Sequence, residues 1–345
     1  MKLRVGILGS SFGGKVHAPA FAAHERFELT AIASPTHAEA VAKELNIPQS
    51  YASLEDMLAT ARLDVLSIAA PPFTHYGAVR AALERGLHVL CEKPFTMSTA
   101  EAEELVALAK SAGTACILAH EFRFLPTRLA LHELRANGHL GPVRQIETTR
   151  LSGFLRRDAR RPRGWWFSRE QGGGVAGAWL SHAIDTANWL AGRAPLRACG
   201  YLRTANAERE DVEGRFLSTV ADGAFATIDY GEGLIARLEV DGTLRVEAYT
   251  LSVHGEKRSA VATGKTIHAQ QLFTIDDDET AEWNCAPIPR AALASIHESV
   301  PVFAAMLDGF ADAIDGKPHQ AATFADGLAT QRVLAAIGYG EHRDS

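Results

Sequence analysis

Through about residue 120 the chain alternates short apolar runs with stretches of helical spacing. Leu3 to Leu8 is an apolar run that ends in glycines. The stretch Lys15 to His24 behind it reads as a helix, with Pro19 expected to kink it or delay its start. Phe27 to Ala33, Val65 to Ala70, Leu87 to Cys91 and Ala115 to Ala119 repeat the strand signal. Between the strands, Thr36 with Glu39 and Ser98 with Glu101 have the spacing of capping boxes, and Ser53 with Asp56 opens a shorter helix. Gly86 stands as a helix stop. Strands alternating with helices predict a parallel, doubly wound sheet, because parallel neighbours need crossover connections. Such a sheet takes its ligands outside the carboxyl ends of its strands.

One more helix follows Pro126 and closes at Gly138, and then the pattern changes. Val143 to Arg150, Leu196 to Arg203, Arg215 to Val220, Ala224 to Tyr230, Leu234 to Val240 and Leu244 to Tyr249 read as strands. Asp222-Gly223 and Asp241-Gly242 punctuate them as turns, and only one helix, about Gly177 to Leu190, interrupts. This block predicts an α+β domain with a large, mainly antiparallel open sheet and helices on one face. Helical stretches near Pro301 to Asp315 and Phe324 to Ile337 end the chain. The expected organisation is a dinucleotide-type α/β domain over 1–121 and an α+β domain over 122–345, whose terminal helices can pack back on the first.

Composition narrows the classes. A chain of 345 residues with 47% apolar residues suits two folded domains. A net charge of -6 gives no bulk attraction to nucleic acid or an anionic membrane. No apolar run reaches bilayer length, and Met1-Lys2-Leu3-Arg4 does not open a signal peptide, so a cytoplasmic location is expected. Cys91, Cys116, Cys199 and Cys285 lack metal-ligand spacing, so free thiols and no metal are expected.

The loop Gly6-Ile7-Leu8-Gly9-Ser10-Ser11-Phe12-Gly13-Gly14 joins the first strand to the first helix. Gly9 and Gly14 fill the first and third places of a dinucleotide fingerprint, and Ser11 stands at the second, where backbone comes closest to pyrophosphate. That points to a Rossmann domain. An acidic residue ending the second strand would bond the ribose of NAD. Here the chain reads Ser34-Pro35-Thr36-His37, which leaves room for a 2′-phosphate, so the cofactor expectation is NADP or NAD with a lean to NADP.

The most specific string is Gly86-Leu87-His88-Val89-Leu90-Cys91-Glu92-Lys93-Pro94, which puts a lysine just past the carboxyl end of a buried strand. With the glycine loop and Ala70-Pro71-Pro72-Phe73-Thr74-His75, it resembles the Gfo/Idh/MocA oxidoreductases. Looser matches are Glu121-Phe122-Arg123-Phe124, Gly172-Gly173-Gly174, Ser181-His182-Ala183-Ile184-Asp185, Phe303 and Asp326-Gly327-Leu328. The resemblance implies reversible oxidation of a hydroxyl to a carbonyl, often on a sugar or cyclitol. It matches Lys93 to the family's catalytic lysine, hydrogen-bonded to the reacting oxygen and passing its proton, and it suggests a cis bond before Pro94. It matches His182 to the family's histidine, to relay a proton or orient substrate, with Asp185 three residues on along the same helical face. The cofactor contacts it implies are Gly9, Ser10, Ser11, Phe12, Gly13, Gly14, Ser34, Ala70, Pro71, Pro72, His75, Glu92, Lys93 and Arg123. Arg123, Trp165, Trp166 and Asp185 are the substrate candidates. The sequence departs from the family at Ala178, where many members carry an aspartate one turn before the histidine.

Arg156, Arg157, Arg160, Arg161 and Arg163 crowd one loop; they read as recognition of an anionic substrate or as a solvated loop or subunit contact. His17 reads as structural. The leading expectation is a dehydrogenase or reductase for a polyol, sugar or cyclitol. The alternatives are a dinucleotide-binding sensor without catalysis, and a sugar-active enzyme that recycles bound NAD. An exposed sheet face favours a homodimer or homotetramer.

Overall fold

A computed structural model describes residues 2–340. The chain divides into two compact units. One comprises residues 1–96, 100–124 and 287–328, and the other 97–99, 125–286 and 329–345.

In the first unit β1 (Leu3–Leu8), β2 (Phe27–Ala33), β3 (Gln49–Tyr51), β4 (Val65–Ile68), β5 (His88–Cys91) and β6 (Cys116–Leu118) build a parallel sheet ordered β6-β5-β4-β1-β2-β3. A short strand, Ala322–Thr323, adds antiparallel to the β6 edge. The central strands are apolar on both faces, as a sheet covered on both sides requires: every residue of β4 is buried, as are Val5 and Ile7 of β1. The crossovers carry α1 (Ala18–Ala22), α2 (Ala38–Leu45), α3 (Leu54–Thr60), α4 (His75–Leu83) and α5 (Thr99–Ala112). The Ser53 hydroxyl caps α3 by accepting the Asp56 N–H at 3.0 Å, as its spacing predicts. The Thr36–Glu39 box does not form: α2 starts at Ala38 with His37 before it and no side-chain cap. Regular α-helix starts late around Pro19, as the sequence suggests. A π-turn, Gly13–His17, precedes α1, and Pro19 fits within the first turn of α1, where its missing N–H costs nothing.

In the second unit, α6 (Pro126–Ala136) leads into β7 (Val143–Leu151), and another π-turn, Ala176–Leu180, leads into α7 (Ser181–Ala191). Beyond these come β8 (Arg197–Arg203), β9 (Glu208–Asp211), β10 (Gly214–Leu217), β11 (Gly223–Gly231), β12 (Leu234–Asp241), β13 (Ala248–Gly255), β14 (Ser259–Gly264), β15 (Gln270–Ile275) and β16 (Thr280–Trp283). Eight of these strands form one sheet ordered β16-β15-β14-β13-β7-β12-β11-β8, while β9 and β10 make a separate hairpin. Every pair in the large sheet is antiparallel except β7 with β12. The π-turn and α7 pack on β12, and α7 on β7, burying Leu180, Ile184, Ala187 and Leu190 over Ile146, Ala236 and Leu251. The opposite face stays open, with Tyr201 62% exposed and stacked near Phe225.

The expected strand Leu244 to Tyr249 is displaced: β13 begins at Ala248, after a turn fixed by Asp241 accepting from the Thr243 N–H and hydroxyl. The expected strand Arg215 to Val220 shortens to β10 of the hairpin. The helix expected from Gly177 starts as the π-turn, and regular α-helix begins only at Ser181. Among the described residues no helix is long and apolar enough to cross a membrane, and no cluster of His, Cys, Asp and Glu has metal-binding geometry. The four cysteines are free thiols.

Candidate active site

The glycine loop follows β1 directly. Gly9 has φ +108°, a conformation that costs glycine little, and a Cβ there would stand 2.3 Å from the Ala69 carbonyl oxygen at the end of β4. A Cβ at Gly14 would stand 3.0 Å from Val41 of α2. The loop is therefore pinned between strand ends and helix. Gly9 donates its N–H to Ala33. Among the described residues no acceptor takes the N–H groups of Ser11, Phe12 or Gly13, the donor run that an anion at a strand-to-helix turn needs. Ser10 and Ser34 join by their hydroxyls at 2.9 Å, and no carboxylate ends β2. These features fit a dinucleotide, with the pyrophosphate on Ser11 to Gly13 and the ribose end toward Ser10 and Ser34.

The string Glu92-Lys93-Pro94 leaves β5 toward the same side of the sheet. The Lys93–Pro94 bond is cis, as the resemblance suggests. Glu92 is buried, and its carboxylate is shared. Oε1 lies 3.2 Å from His17 Nε2, while Oε2 lies 3.6 Å from Lys93 Nζ and accepts the Lys93 backbone N–H at 3.2 Å. His17, fully buried, lies 2.8 Å through Nδ1 from the Ser67 hydroxyl of β4. A carboxylate only accepts, so His17 Nε2 carries a proton and donates it to Glu92. Burial pushes the Glu92 carboxyl up, but the Lys93 charge and the His17 hydrogen bond outweigh it and hold it below its ordinary 4.5. Lys93 therefore stands over a buried anion, its side chain only 19% exposed.

His75 was expected at the cofactor. Its ring is fully buried and works on backbone instead: Nε2 lies 2.9 Å from the Ala70 carbonyl, and Nδ1 lies 2.9 Å from that of Pro94 and 3.3 Å from that of Phe95. Burial pushes this imidazole below its ordinary 6.5. It ties the Ala70-Pro71-Pro72 turn after β4 to the segment carrying Lys93. Arg123, expected at the substrate, is likewise buried. Its guanidinium pairs with Asp326 at 3.3 Å and donates to the Gln320 carbonyl, anchoring the 320–326 segment.

In the second unit, α7 carries His182 and Asp185, both buried. Burial and the nearby Asp185 charge raise the Tyr230 hydroxyl well above its ordinary value. Trp166 packs with Phe154 and Trp179 at ring separations of 5.6 and 6.5 Å, and Gly173 lies so close to this segment that a Cβ would meet the Trp166 carbonyl at 2.2 Å. Trp165 stays 38% exposed. Most of the arginine loop is engaged within its own unit. Arg156 pairs with Asp158, Arg160 with Glu210, and Arg163 with Asp211 and Glu213, while Arg161 lies over the Phe154 ring.

Residues 3–120 match the family described as an oxidoreductase family with an NAD-binding Rossmann fold, and residues 129–261 match the GFO/IDH/MocA C-terminal domain. Over 281 residues the chain is 35% identical to Uncharacterized oxidoreductase sll0816 of Synechocystis sp., covering 79% of this chain and 75% of that one. The chain belongs to the Gfo/Idh/MocA family of oxidoreductases. A more distant relative is the D-glucoside 3-dehydrogenase of Escherichia coli K12, 28% identical over 353 residues and covering 97% of this chain and 94% of that one. A levoglucosan dehydrogenase in complex with NADH and levoglucosan has the same fold, with TM-score 0.84 over 98% of this chain and 96% of that one at 22% identity. In this family member, sequence reasoning missed the part played by His17. Its position just beyond the glycine loop was the available signal, because the π-turn aims that residue back at the strand ends.

Proposed function

We propose that this Gfo/Idh/MocA protein is an NAD(P)-dependent dehydrogenase or reductase that interconverts a hydroxyl and a carbonyl on a sugar, polyol or cyclitol. The observation that carries the reading is Lys93 at the end of β5, held by a buried carboxylate that His17 and Ser67 fix from behind. The names of the sugar dehydrogenases among its relatives support the substrate class.

A bound nicotinamide dinucleotide would supply the hydride acceptor or donor. The rest falls to the protein. Lys93 binds the reacting oxygen and takes or returns its proton. Glu92 stays ionised and sets where the Lys93 ammonium sits, with its own charge balanced from the other side by the His17 N–H. His182 orients substrate or relays the proton, as the family resemblance implies. Ala178 offers no carboxylate for a longer relay, so the proton passes through Lys93. Ser11, Phe12 and Gly13 hold the pyrophosphate by backbone N–H groups. His75 and Arg123 serve by fixing the backbone around the Ala70-Pro71-Pro72 turn and the end of β6.

We propose NADP over NAD, because Ser10 and Ser34 present hydroxyls where a carboxylate would repel a 2′-phosphate. We also propose that the open face of the large sheet, around Tyr201 and Phe225, joins subunits into a homodimer or homotetramer.

Absorbance of the reduced nicotinamide over a panel of aldoses and polyols tests the reading. Net formation with at least one substrate supports it. Product without net reduction points instead to recycling of bound dinucleotide, and binding without turnover across the panel to a sensor. Side-by-side titration with NADP and NAD decides the cofactor; tighter NAD binding would overturn the preference.

A further inference from the structure

Within the second unit, the loop that follows β7 is zipped to the turn between β12 and β13. Leu155 donates its N–H to Gly242 at 2.6 Å, and Leu244 donates to Ser152 at 3.0 Å. Glu247 fastens the same join by accepting the Ser152 hydroxyl and the Gly153 N–H. The join frames a cavity of about 550 Å³ lined by Arg156, Arg157, Asp158, Asn206, Thr243 and Arg245. The two neutral residues belong to the frame. Asn206 donates its side-chain amide to the Leu155 carbonyl at 3.2 Å, and the Thr243 hydroxyl donates to Asp241 at 2.7 Å. What the cavity offers a ligand is therefore three guanidinium groups and one carboxylate.

Those charges do not balance. Asp158 bridges two of the arginines, accepting from Arg156 Nε at 2.9 Å through Oδ1 and from Arg245 at 2.8 Å through Oδ2. The hydrogen bonds from Arg156 and then Arg245 hold its carboxyl below the ordinary 3.8, so it is ionised at neutral pH. Among the described residues no other carboxylate comes within 4.0 Å of either arginine, and the exposed Arg157 makes no hydrogen bond or ion pair. Three cations against one anion leave two positive charges over. Every guanidinium also carries five N–H donors, so most of the donors around this cavity remain uncommitted. Elsewhere in the same loop the pairing is complete: Arg160 has Glu210, and Arg163 has Asp211 and Glu213.

We propose that this cavity binds a phosphate monoester of sugar-phosphate size, its phosphate between Arg156 and Arg245 where the Asp158 carboxylate now stands, with Arg157 as the third fork. A monoester is close to a dianion at neutral pH, which matches the two surplus charges. Its three terminal oxygens can each take a guanidinium, whereas a carboxylate has only two. The volume exceeds what a bare phosphate needs and suits an attached sugar. Asp158 holds two of the forks side by side and competes with the ligand for the same donors. It is 52% exposed, so it returns to water at little cost when displaced. Binding here is independent of whether Lys93 turns over a sugar.

Isothermal titration of the whole protein with D-glucose 6-phosphate, inorganic phosphate and D-glucose, at matched low ionic strength, tests this. The wild type should bind D-glucose 6-phosphate, and more tightly than inorganic phosphate. Arg157→Met and Arg245→Met should each weaken the ester by about tenfold, the loss of hydrogen bonds to a charged group. Asp158→Asn should tighten it by about threefold or more, because the competing carboxylate is gone. D-Glucose should bind the variants as it binds the wild type. Phosphate held elsewhere, as on the backbone N–H groups of the glycine loop, would not respond to these substitutions. A wild type that binds no phosphate species, an ester affinity unchanged in both arginine variants, or an Asp158→Asn protein that gains nothing would overturn the proposal. Equal affinity for inorganic phosphate and the ester would overturn the monoester assignment. Near-ultraviolet circular dichroism confirms that the variants keep the wild-type fold.

Discussion

Replacing Glu92 by Gln keeps the shape of the site and removes one charge from its centre. In the folded protein that carboxylate faces Lys93 Nζ at 3.6 Å and His17 Nε2 at 3.2 Å, and it is almost fully buried. At an effective dielectric of about 20, a pair at that lysine distance is worth roughly 4–5 kcal/mol before desolvation. Lys93 is 19% exposed and regains some hydration when its partner goes, so a net loss of about 2–3 kcal/mol is expected. That corresponds to a fall in melting temperature of roughly 5–10 °C for a unit of this size. A glutamine also turns an amide toward either the ammonium or the imidazole N–H, so it cannot replace both acceptors. Turnover should fall by about tenfold or more because Lys93 is no longer held. The acid side gives an independent signature. Because the folded Glu92 carboxyl lies below its ordinary 4.5, the native state binds fewer protons than the unfolded chain. The stability it contributes is therefore full above that value and lost as the pH falls through the lower, folded one. Glu92→Gln should flatten that loss. Thermal melts of both proteins across the acid range, with initial rates at neutral pH, make the measurement. A variant that melts and turns over like the wild type would refute the picture of Glu92 as the charge that seats Lys93.

Gly9→Ala should weaken dinucleotide binding at least tenfold and cost about 2 kcal/mol or more, because φ +108° is strained for alanine and its Cβ would meet the Ala69 carbonyl at 2.3 Å; fluorescence titration with the reduced dinucleotide checks it, and unchanged affinity would count against the loop. Asp308 binds Arg290 by two contacts, at 2.8 and 2.9 Å, and His24 at 3.0 Å; burial raises its carboxyl, but these partners hold it at about 2. Its contribution is thus present above the ordinary 3.8 and lost as the pH falls through about 2, and at 46% side-chain exposure it amounts to no more than about 1 kcal/mol. Asp308→Asn should remove that part of the acid slope in melts, and an identical slope would contradict the assignment.

The doubly wound sheet was legible because β1, β2, β4 and β5 are compact, largely apolar runs soon followed by a glycine or proline, and every residue of β4 is buried, whereas the edge strand β3, Gln49–Tyr51, is polar and gave no signal. The second sheet was legible only as far as β12. Its later strands, such as Gln270–Ile275, mix polar and apolar residues, and β13 starts after a turn set by Asp241, which local pattern does not reveal. The Thr36–Glu39 spacing misled because His37 ends the turn before α2, and a box at the right spacing still needs the helix to begin at its first residue. At the site, Lys93 and Glu92 stood out by motif. The bond of His17 to Glu92 spans 75 residues of sequence, and that of His75 to Pro94 spans 19; both depend on how the π-turn and α4 aim their rings into the strand ends. Arg123, Arg160 and Arg163 looked like ligand groups because sequence shows a cation without its partner. The structure supplies Asp326, Glu210 and Asp211.

The central claim is that Lys93 moves the proton of the reacting hydroxyl. Its direct test is Lys93→Ala, with turnover of the best sugar or polyol substrate and dinucleotide affinity measured on the same preparation. The account predicts that turnover falls by roughly a thousandfold while the dinucleotide dissociation constant stays within about threefold. Turnover that survives unchanged in Lys93→Ala would contradict it.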